Sequence, residues 1–384
     1  MFFKMRKLKF TRETVCYQLP VIFCLVLMAV LFFLPTGFED AVIYKGTERC
    51  AAEVLNTDDS KIISTGLIKS GEQRCTVRFL GGEFKGLEAD GFNMLNGSLE
   101  ADKIFRPGDK ALVVISHKGE EILSVNLIDH YRLNKELILA ACFVVLLILF
   151  AGKTGIRAVL SFGLTIMMIW KLLVPMYLKG MQPVMVGLVI VLTLTFIIIT
   201  LVYGFDRKAF AAVSGSFLGI ITTCIMGLIF TDAFKIHGAI MPNSESLLYS
   251  GYENLNLTQI FMASIFIGSS GAVMDLAVDI TSAVNEVIQK KPDIGWREAM
   301  QSGMAVGRAA MGTMTTTLLL AYSGGCVALL MVFMAQGTPI DNILNYKYVS
   351  SEILDTIVGS FGLVTVAPFT ALTSGVFLTR KKKA

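Results

Sequence analysis

Charge is scarce in this chain and histidine scarcer still: Asp, Glu, Lys and Arg together make up 17% of 384 residues, and there are three histidines. An ordinary soluble domain carries about 25% charged residues, so a water-facing surface along the whole chain is excluded. His117, His130 and His237 are scattered, which argues against a histidine-based metal centre. Seven cysteines, Cys16, Cys24, Cys50, Cys75, Cys142, Cys224 and Cys326, show no CxxC spacing and no histidine in metal-ligand register, so no zinc site is read. A Walker loop, a GxSxG elbow and an HExxH helix are all missing. With no nucleophile and base set in view, an enzyme is not expected, nor is a cofactor or a nucleic-acid partner.

What the chain has in quantity is apolar sequence. Hydrophobic residues reach 54% and the mean hydropathy is +0.65. That composition reads as a polytopic membrane protein whose first partner is the lipid bilayer. The expected fold class is an α-helical bundle of about eight transmembrane helices, with a small β-rich extracytoplasmic domain after the first helix. Three parts follow: residues 1–35, a basic N-terminus and first helix; residues 36–134, the polar β-rich domain; and residues 135–384, a seven-helix bundle.

The topology rests on run length and on the placement of Lys and Arg. The run Val15 to Leu34 is about 20 residues, enough to cross a bilayer, and it reads as an uncleaved anchor rather than a signal peptide. Later spans are read at Leu137 to Gly152, Ala158 to Leu178, Val184 to Gly204, Ala209 to Thr231 and Leu257 to Ile288. Residues 308–335 are taken as one span interrupted, not ended, by Gly324 and Gly325, and the last runs from Ile353 to Leu378. This arrangement gathers Lys4, Arg6, Lys7, Lys9, Arg12, Lys153, Arg157, Arg207, Lys208, Lys290, Lys291, Arg297 and the stretch Arg380 to Lys383 on one side. Lys179, Lys235 and Lys347 fall on the other. Such an imbalance places both termini in the cytoplasm. Lys171, within the third span, is expected to snorkel to the outer interface, and PDIGWREAMQ to lie as an amphipathic helix on the inner surface.

In the polar domain RCTVRFLG and KALVVIS alternate or cluster β-branched residues between turn signals, which predicts strands. About 95 residues suit one small barrel or sandwich, and FRPGDKALVVI has the look of a turn feeding a strand of an OB-like barrel. Cys50 and Cys75 lie in this domain, where a disulfide and two free thiols are the alternatives.

The chemistry-bearing stretch is SSGAVMDLAVDITSAVNEV, residues 269–287, an apolar run that carries Asp275, Asp279 and Glu286. At about 100° per residue, Gly268, Gly271, Asp275, Asp279, Ser282 and Glu286 fall within about 40° of one line. The glycines of that face predict close helix packing. The acids predict a proton or cation relay, against the alternatives of a salt-bridged packing seam or plain cytoplasmic solvation. The next helix aligns Arg308, Gly312, Thr315 and Tyr322 on one face, with Gly312 read as a packing glycine and Thr315 as back-bonding or path-lining. If the two helices are antiparallel neighbours, Arg308 reaches the depth of Asp279 and a charge pair is expected.

The segments GSSGAVMDLAVDITSAVNEV and REAMQSGMAVGRAAMGTMTTTLLLAYSGG, with the order anchor, polar domain, helix bundle, resemble the YibE/F-like family of bacterial membrane proteins. The likeness runs from about Ile128 to Leu378, and the size is closer to the YibE member than to the shorter YibF. It implies a topology, and as a partner a related YibF-like subunit or a second copy. A weaker similarity over residues 265–325 links the chain to the central helices of SecD, SecF and the resistance-nodulation-division transporters. That similarity implies proton coupling through Asp275 or Asp279 with Arg308 as the following arginine. This chain departs from the pattern in its small polar domain, its eight spans and the three residues between its acids. The functional expectation is a permease or transport-accessory component, proton-coupled through intramembrane carboxylates; the alternative is a non-transporting scaffold that pairs with a related subunit.

Overall fold

A computed structural model describes residues 12–39 and 46–379. The basic residues Lys4, Arg6, Lys7 and Lys9 and the tail Arg380 to Lys383 lie outside this range. The chain forms two compact units, Glu39–Phe150 and the combination of Met1–Phe38 with Ala151–Ala384, where the sequence placed the divisions at 35 and 134.

The first unit is a barrel of alternating strands. β1 (Thr47–Asp58), β2 (Ile62–Thr65), β3 (Ile68–Phe79), β4 (Glu88–Asn96), β5 (Lys110–Lys118) and β6 (Glu121–His130) pair in the order β1-β5-β6-β4-β3-β2, and β1 also pairs with β3. That second pairing closes five strands on themselves and leaves β2 as a hairpin arm of β3. Closure removes open sheet edges. β1 makes it possible by bending: its first half pairs with β5 and its second half with β3, with a register shift between Val54 and Asn56. β4 meets β6 in parallel at Phe92 and Asn126, and Gly91 eases the approach, since a Cβ there would stand 3.0 Å from the Val125 carbonyl oxygen and 2.8 Å from Leu127 Cδ1. Without β2, this connectivity is that of an OB-type Greek key, and the turn before β5 is the one read from FRPGDKALVVI.

Inward positions follow the two-residue period. Ala52 and Val54 on β1, Cys75, Val77 and Phe79 on β3, and Ala111, Val113 and Ile115 on β5 fill the core. One polar knot is buried among them. Gln73 Nε2 donates to Asp59 Oδ1 (2.8 Å) and to the Phe105 carbonyl (2.9 Å), and Gln73 Oε1 accepts from the Phe105 amide (3.0 Å). Asn93 Nδ2 donates to Gln73 Oε1 (3.1 Å) and to the Lys103 carbonyl (2.6 Å). The knot pins the irregular stretch between β4 and β5 to the barrel wall.

Cys50 and Cys75 are free thiols, both buried. On β1 the cross-strand partner of Cys75 is Thr57, seven residues beyond Cys50, or roughly 23 Å along a strand at about 3.3 Å per residue. The disulfide alternative is therefore overturned.

The second unit is helical. α1 (Arg12–Phe33) is followed by α2 (Leu133–Met168), which starts in the barrel unit and is broken at Gly152. There φ 57 and ψ −125 leave the helical region, a conformation open to glycine. A π turn, Ile169–Leu173, leads to α3 (Val174–Leu178), α4 (Pro183–Tyr203) and α5 (Arg207–Ala233). A 3₁₀ turn at Gly238–Ile240 and α6 (Ser244–Tyr249) precede α7 (Leu257–Lys290) and α8 (Trp296–Ser323). The glycine pair forms a 3₁₀ turn, Gly324–Cys326, continued by α9 (Val327–Ala335), α10 (Ile340–Asn345) and α11 (Lys347–Thr379). Six long helical segments among the described residues are apolar enough to cross a membrane, the first of them being Leu133–Leu178 with its break at Gly152.

α11 is the centre of this unit, packed against α5, α7 and α8. Small residues set the approach. A Cβ on Gly362 would run into Thr223 of α5, and one on Gly303 of α8 would lie 2.7 Å from Val284 and 3.2 Å from Ala371. The core between them holds Phe266, Leu276, Ile280, Leu363 and Val366. PDIGWREAMQ is not a separate surface helix: Trp296 opens α8, Ala299 is fully buried, and the Trp296 carbonyl and Met300 abut Gly375 of α11. Arg157 is no loop charge either. It is buried and donates to the Leu201 carbonyl (2.8 Å) and the Tyr17 carbonyl (2.9 Å), tying α1, α2 and α4 together. Lys171 Nζ donates to the Leu34 carbonyl at the end of α1 (3.2 Å).

Candidate functional site: a carboxylate-lined cavity in the helical unit

The predicted stripe on α7 exists as a face and is directed outward. Gly268, Gly271, Asp275, Asp279, Ser282 and Glu286 are all exposed, while Val273, Leu276, Ala277, Ile280 and Val284 supply the buried side. Asp275 and Asp279 have no hydrogen bond or ion pair among the described residues. Glu286 bonds Lys290, four residues on (2.9 Å). Tyr203 of α4 borders the stripe, its hydroxyl donating to the Val278 carbonyl (2.7 Å) and lying 2.6 Å from Ser282 Oγ.

Arg308 does not meet Asp279 within the chain. α7 and α8 touch through Ile280 and Val284 against Gly303 and Gly307. One residue along a helix turns by about 100°, so Asp279 and Arg308, each next to a contact residue, point to the outer flanks. Arg308 is exposed and has no partner among the described residues. Thr315 Oγ1 donates to the Met311 carbonyl (2.9 Å), the back-bonding alternative of the sequence reading. Of the three packing glycines, Gly268 alone has a close neighbour, since a Cβ there would lie 2.6 Å from the Tyr322 hydroxyl. Gly271 and Gly312 are corrected: a Cβ on either meets nothing within 4 Å, because both lie on outward faces.

The structure assembles another carboxylate group, on α11. Tyr348, Ser351, Glu352 and Asp355 follow the i, i+3, i+4, i+7 spacing on the first turns of α11, which makes them one face. Across from it stand Phe261 and Ser264 at the start of α7, Gly325 and Cys326 in the 3₁₀ turn after α8, and the segment 239–246. Together they line a half-open cavity of about 790 Å³. A left-handed turn at Asn243 (φ 59) folds the 239–246 segment over it, held by Ser244 Oγ donating to the Ala239 carbonyl (3.0 Å).

The lining is one-sided in charge. Glu245, Glu352 and Asp355 are present, and no Lys, Arg or His is among the lining residues. Oδ1 of Asp355 is buried with no hydrogen-bond partner. The nearby hydroxyls do not serve it, since Ser264 Oγ donates to the Phe261 carbonyl (2.7 Å) and Ser351 Oγ to the Tyr348 carbonyl (2.7 Å). A buried carboxylate oxygen without a donor is costly, and a cavity lined by one sign of charge concentrates the opposite sign. What completes such a site is a cation or a proton. The described residues contain no cluster of three or more His, Cys, Asp or Glu placed to hold a metal ion, so the donor set does not form a metal cage. Glu352 and Cys326 also line a second, apolar cavity of about 320 Å³.

Residues 139–380 match the YibE/F-like protein family. The chain belongs to that family. The matched region contains both carboxylate groups, α7 with its outward stripe and α11 with its cavity, and leaves the barrel outside it. No curated protein and no solved structure matches the chain. For this YibE/F-like chain, the signal for the second group was in the stretch SSEILDT. A last span that opens at Ile353 leaves Glu352 in a loop, whereas the helix begins at Lys347 and carries both Glu352 and Asp355.

Proposed function

We propose that this YibE/F-like protein is a bacterial plasma-membrane permease or transport-accessory component whose cavity at the start of α11 takes up a cation or a proton. Its apolar helices span the bilayer as eight spans, counting α1 and taking the break at Gly152 to divide Leu133–Leu178 in two, with both termini cytoplasmic by the distribution of Lys and Arg. The barrel, outside the cytoplasm, engages cargo or a partner. One observation carries the reading: the unpartnered Asp355 oxygen at a cavity that holds three acids and no base. Ionisable groups at bilayer depth mark ion or substrate paths. The proton-handling groups are then Asp355 and Glu352, with Asp275 and Asp279 on a different face of the bundle.

The test is flux. In proteoliposomes loaded with a pH-sensitive dye and driven by a potassium diffusion potential, the wild-type chain is expected to carry protons above the rate of empty liposomes. Asp355→Asn should reduce that rate at least tenfold with unchanged protein content. A wild-type rate equal to that of empty liposomes would sink the permease reading. A second reading, a scaffold that pairs with another membrane subunit, draws on the outward stripe of α7 and predicts normal cellular function for Asp355→Asn.

A further inference from the structure

The acid-lined cavity has an apolar neighbour, and the two meet on α11. At about 100° per residue, Tyr348, Ser351 and Asp355 gather on one side of that helix and Val349, Ile353 and Thr356 on another, about a third of a turn round. The first set lines the cavity of about 790 Å³. The second lines the cavity of about 320 Å³, together with Leu330 of α9 and Leu344 of α10. Glu352 falls between the two sets and lines both cavities, as does Cys326 in the turn after α8.

The two sides differ in chemistry. Glu245, Glu352 and Asp355 stand on the one, where Asp355 Oδ1 is buried without a donor. On the other, Glu352 is the single charged lining residue among mostly apolar side chains. Neither side holds Lys, Arg or His. A hydrated inorganic cation gains nothing from the apolar side, whose walls cannot replace its water. An uncharged apolar molecule gains nothing from three acids, and an anion is repelled by them. Apolar walls with a few placed polar groups are the usual form of a small-molecule site, and such sites span about 300–1,000 Å³. The apolar side lies near the lower end of that range, which suits one compact apolar group.

We propose that the adjoining cavities bind an amphiphilic organic cation, with its cationic centre between Glu352 and Asp355 and its apolar body against Leu330, Leu344 and Ile353. Only a ligand of this class uses both sides at once, and Glu352 stands where its two parts join. The inference rests on the reading that the Asp355 cavity takes up a cation, and it adds that this cation carries an apolar group.

Equilibrium dialysis of the full chain in nanodiscs, with empty nanodiscs subtracted, tests it with radiolabelled tetraphenylphosphonium as the probe. Saturable binding is expected. Decyltrimethylammonium should displace the probe at a concentration at least tenfold below that of tetramethylammonium, which has the charge without the tail. Decyl sulfate, which has the tail with the opposite charge, should not displace it. Glu352→Gln should weaken binding at least tenfold, and so should Ser323→Trp, which fills the apolar side alone. Leu330→Ser, at a partly exposed position, acts in the same direction without added bulk, and all three variants are compared at the size-exclusion profile and unfolding temperature of wild type. In the unaltered chain, saturating probe should slow alkylation of Cys326 by N-ethylmaleimide at least threefold, while Cys142, exposed and in neither cavity, is unaffected. An absence of saturable binding, full affinity in the folded variants, or unchanged Cys326 labelling would overturn the proposal. So would equal displacement by the two ammonium ions, the behaviour of a charge site alone, or displacement by decyl sulfate, the behaviour of an apolar cavity alone. The flux measurement fails separately: proton flux with no amphiphile binding removes this inference and leaves the permease reading, whereas amphiphile binding without proton flux removes the permease reading and leaves the site.

Discussion

Asp279 shows how little decides the fate of a side chain. It neighbours Ile280, which is wholly buried against α8, and a turn of about 100° separates the two. The apolar neighbour found the core and the acid was turned away from it. Asp355 has the reverse history: it rides on a helix whose buried residues run along both of its flanks, and its Oδ1 is carried inside with no donor. Cys75 gives the residue scale a pH test. Burial pushes its thiol up to about 11 from an ordinary 9.0. A raised value means that the folded barrel holds the proton longer than the unfolded chain. The contribution to stability is complete below pH 9 and is lost as pH rises from 9 to 11, by about 2–3 kcal/mol in all. Thermal unfolding of the barrel should therefore weaken over that window in wild type and show a flatter pH profile in Cys75→Ala. An unchanged profile in the variant would assign the alkaline loss to other groups.

At the scale of elements, glycine placement sets how α11 sits among its neighbours. Gly362 lies so close to Thr223 that an added methyl has no room, and overpacking of this kind typically costs about 1–3 kcal/mol. Gly362→Ala should lower the unfolding temperature in detergent. Gly312→Ala, in the middle of α8 with open space around it, should leave it unchanged or raise it, since alanine is the better helix former there. Equal effects at the two positions would contradict the packing described for α11. The helices themselves were legible as apolar runs, and the continuity of residues 308–335 across the glycine pair was legible from the charge distribution, since ending the helix there would have reversed the side of the terminal basic cluster. The start of α11 was not legible in the same way. KYVSSEILDT is polar enough to read as loop, and helix formation there follows from packing, with Val349, Ser351 and Leu354 buried.

For the whole molecule, the two compact units imply separable folding. The barrel closes its own sheet, has its own core around Val54, Val77, Phe79, Val113 and Ile115, and carries an internal polar knot at Gln73 and Asn93. Expressed as residues 46–131, it should be a soluble β protein with a cooperative thermal transition by circular dichroism. A featureless, non-cooperative spectrum would show that it requires the helices. The stripe on α7 belongs to this scale as well, because its meaning depends on what surrounds the bundle and not on its own helix.

By itself, the sequence determined the class of the chain and the periodic faces of its elements. A long apolar run has few folded alternatives to a helix, and an alternating run bounded by turns has few alternatives to a strand, so composition and period carried those decisions. Family membership was likewise written in α7 and α8. Only the tertiary structure decided which charges were covered. That choice turns on which face of each helix meets which neighbour, and those contacts are set by glycines and buried side chains far apart in the chain. The same fact put Asp275, Asp279 and Arg308 on the outside, and Asp355 against a cavity.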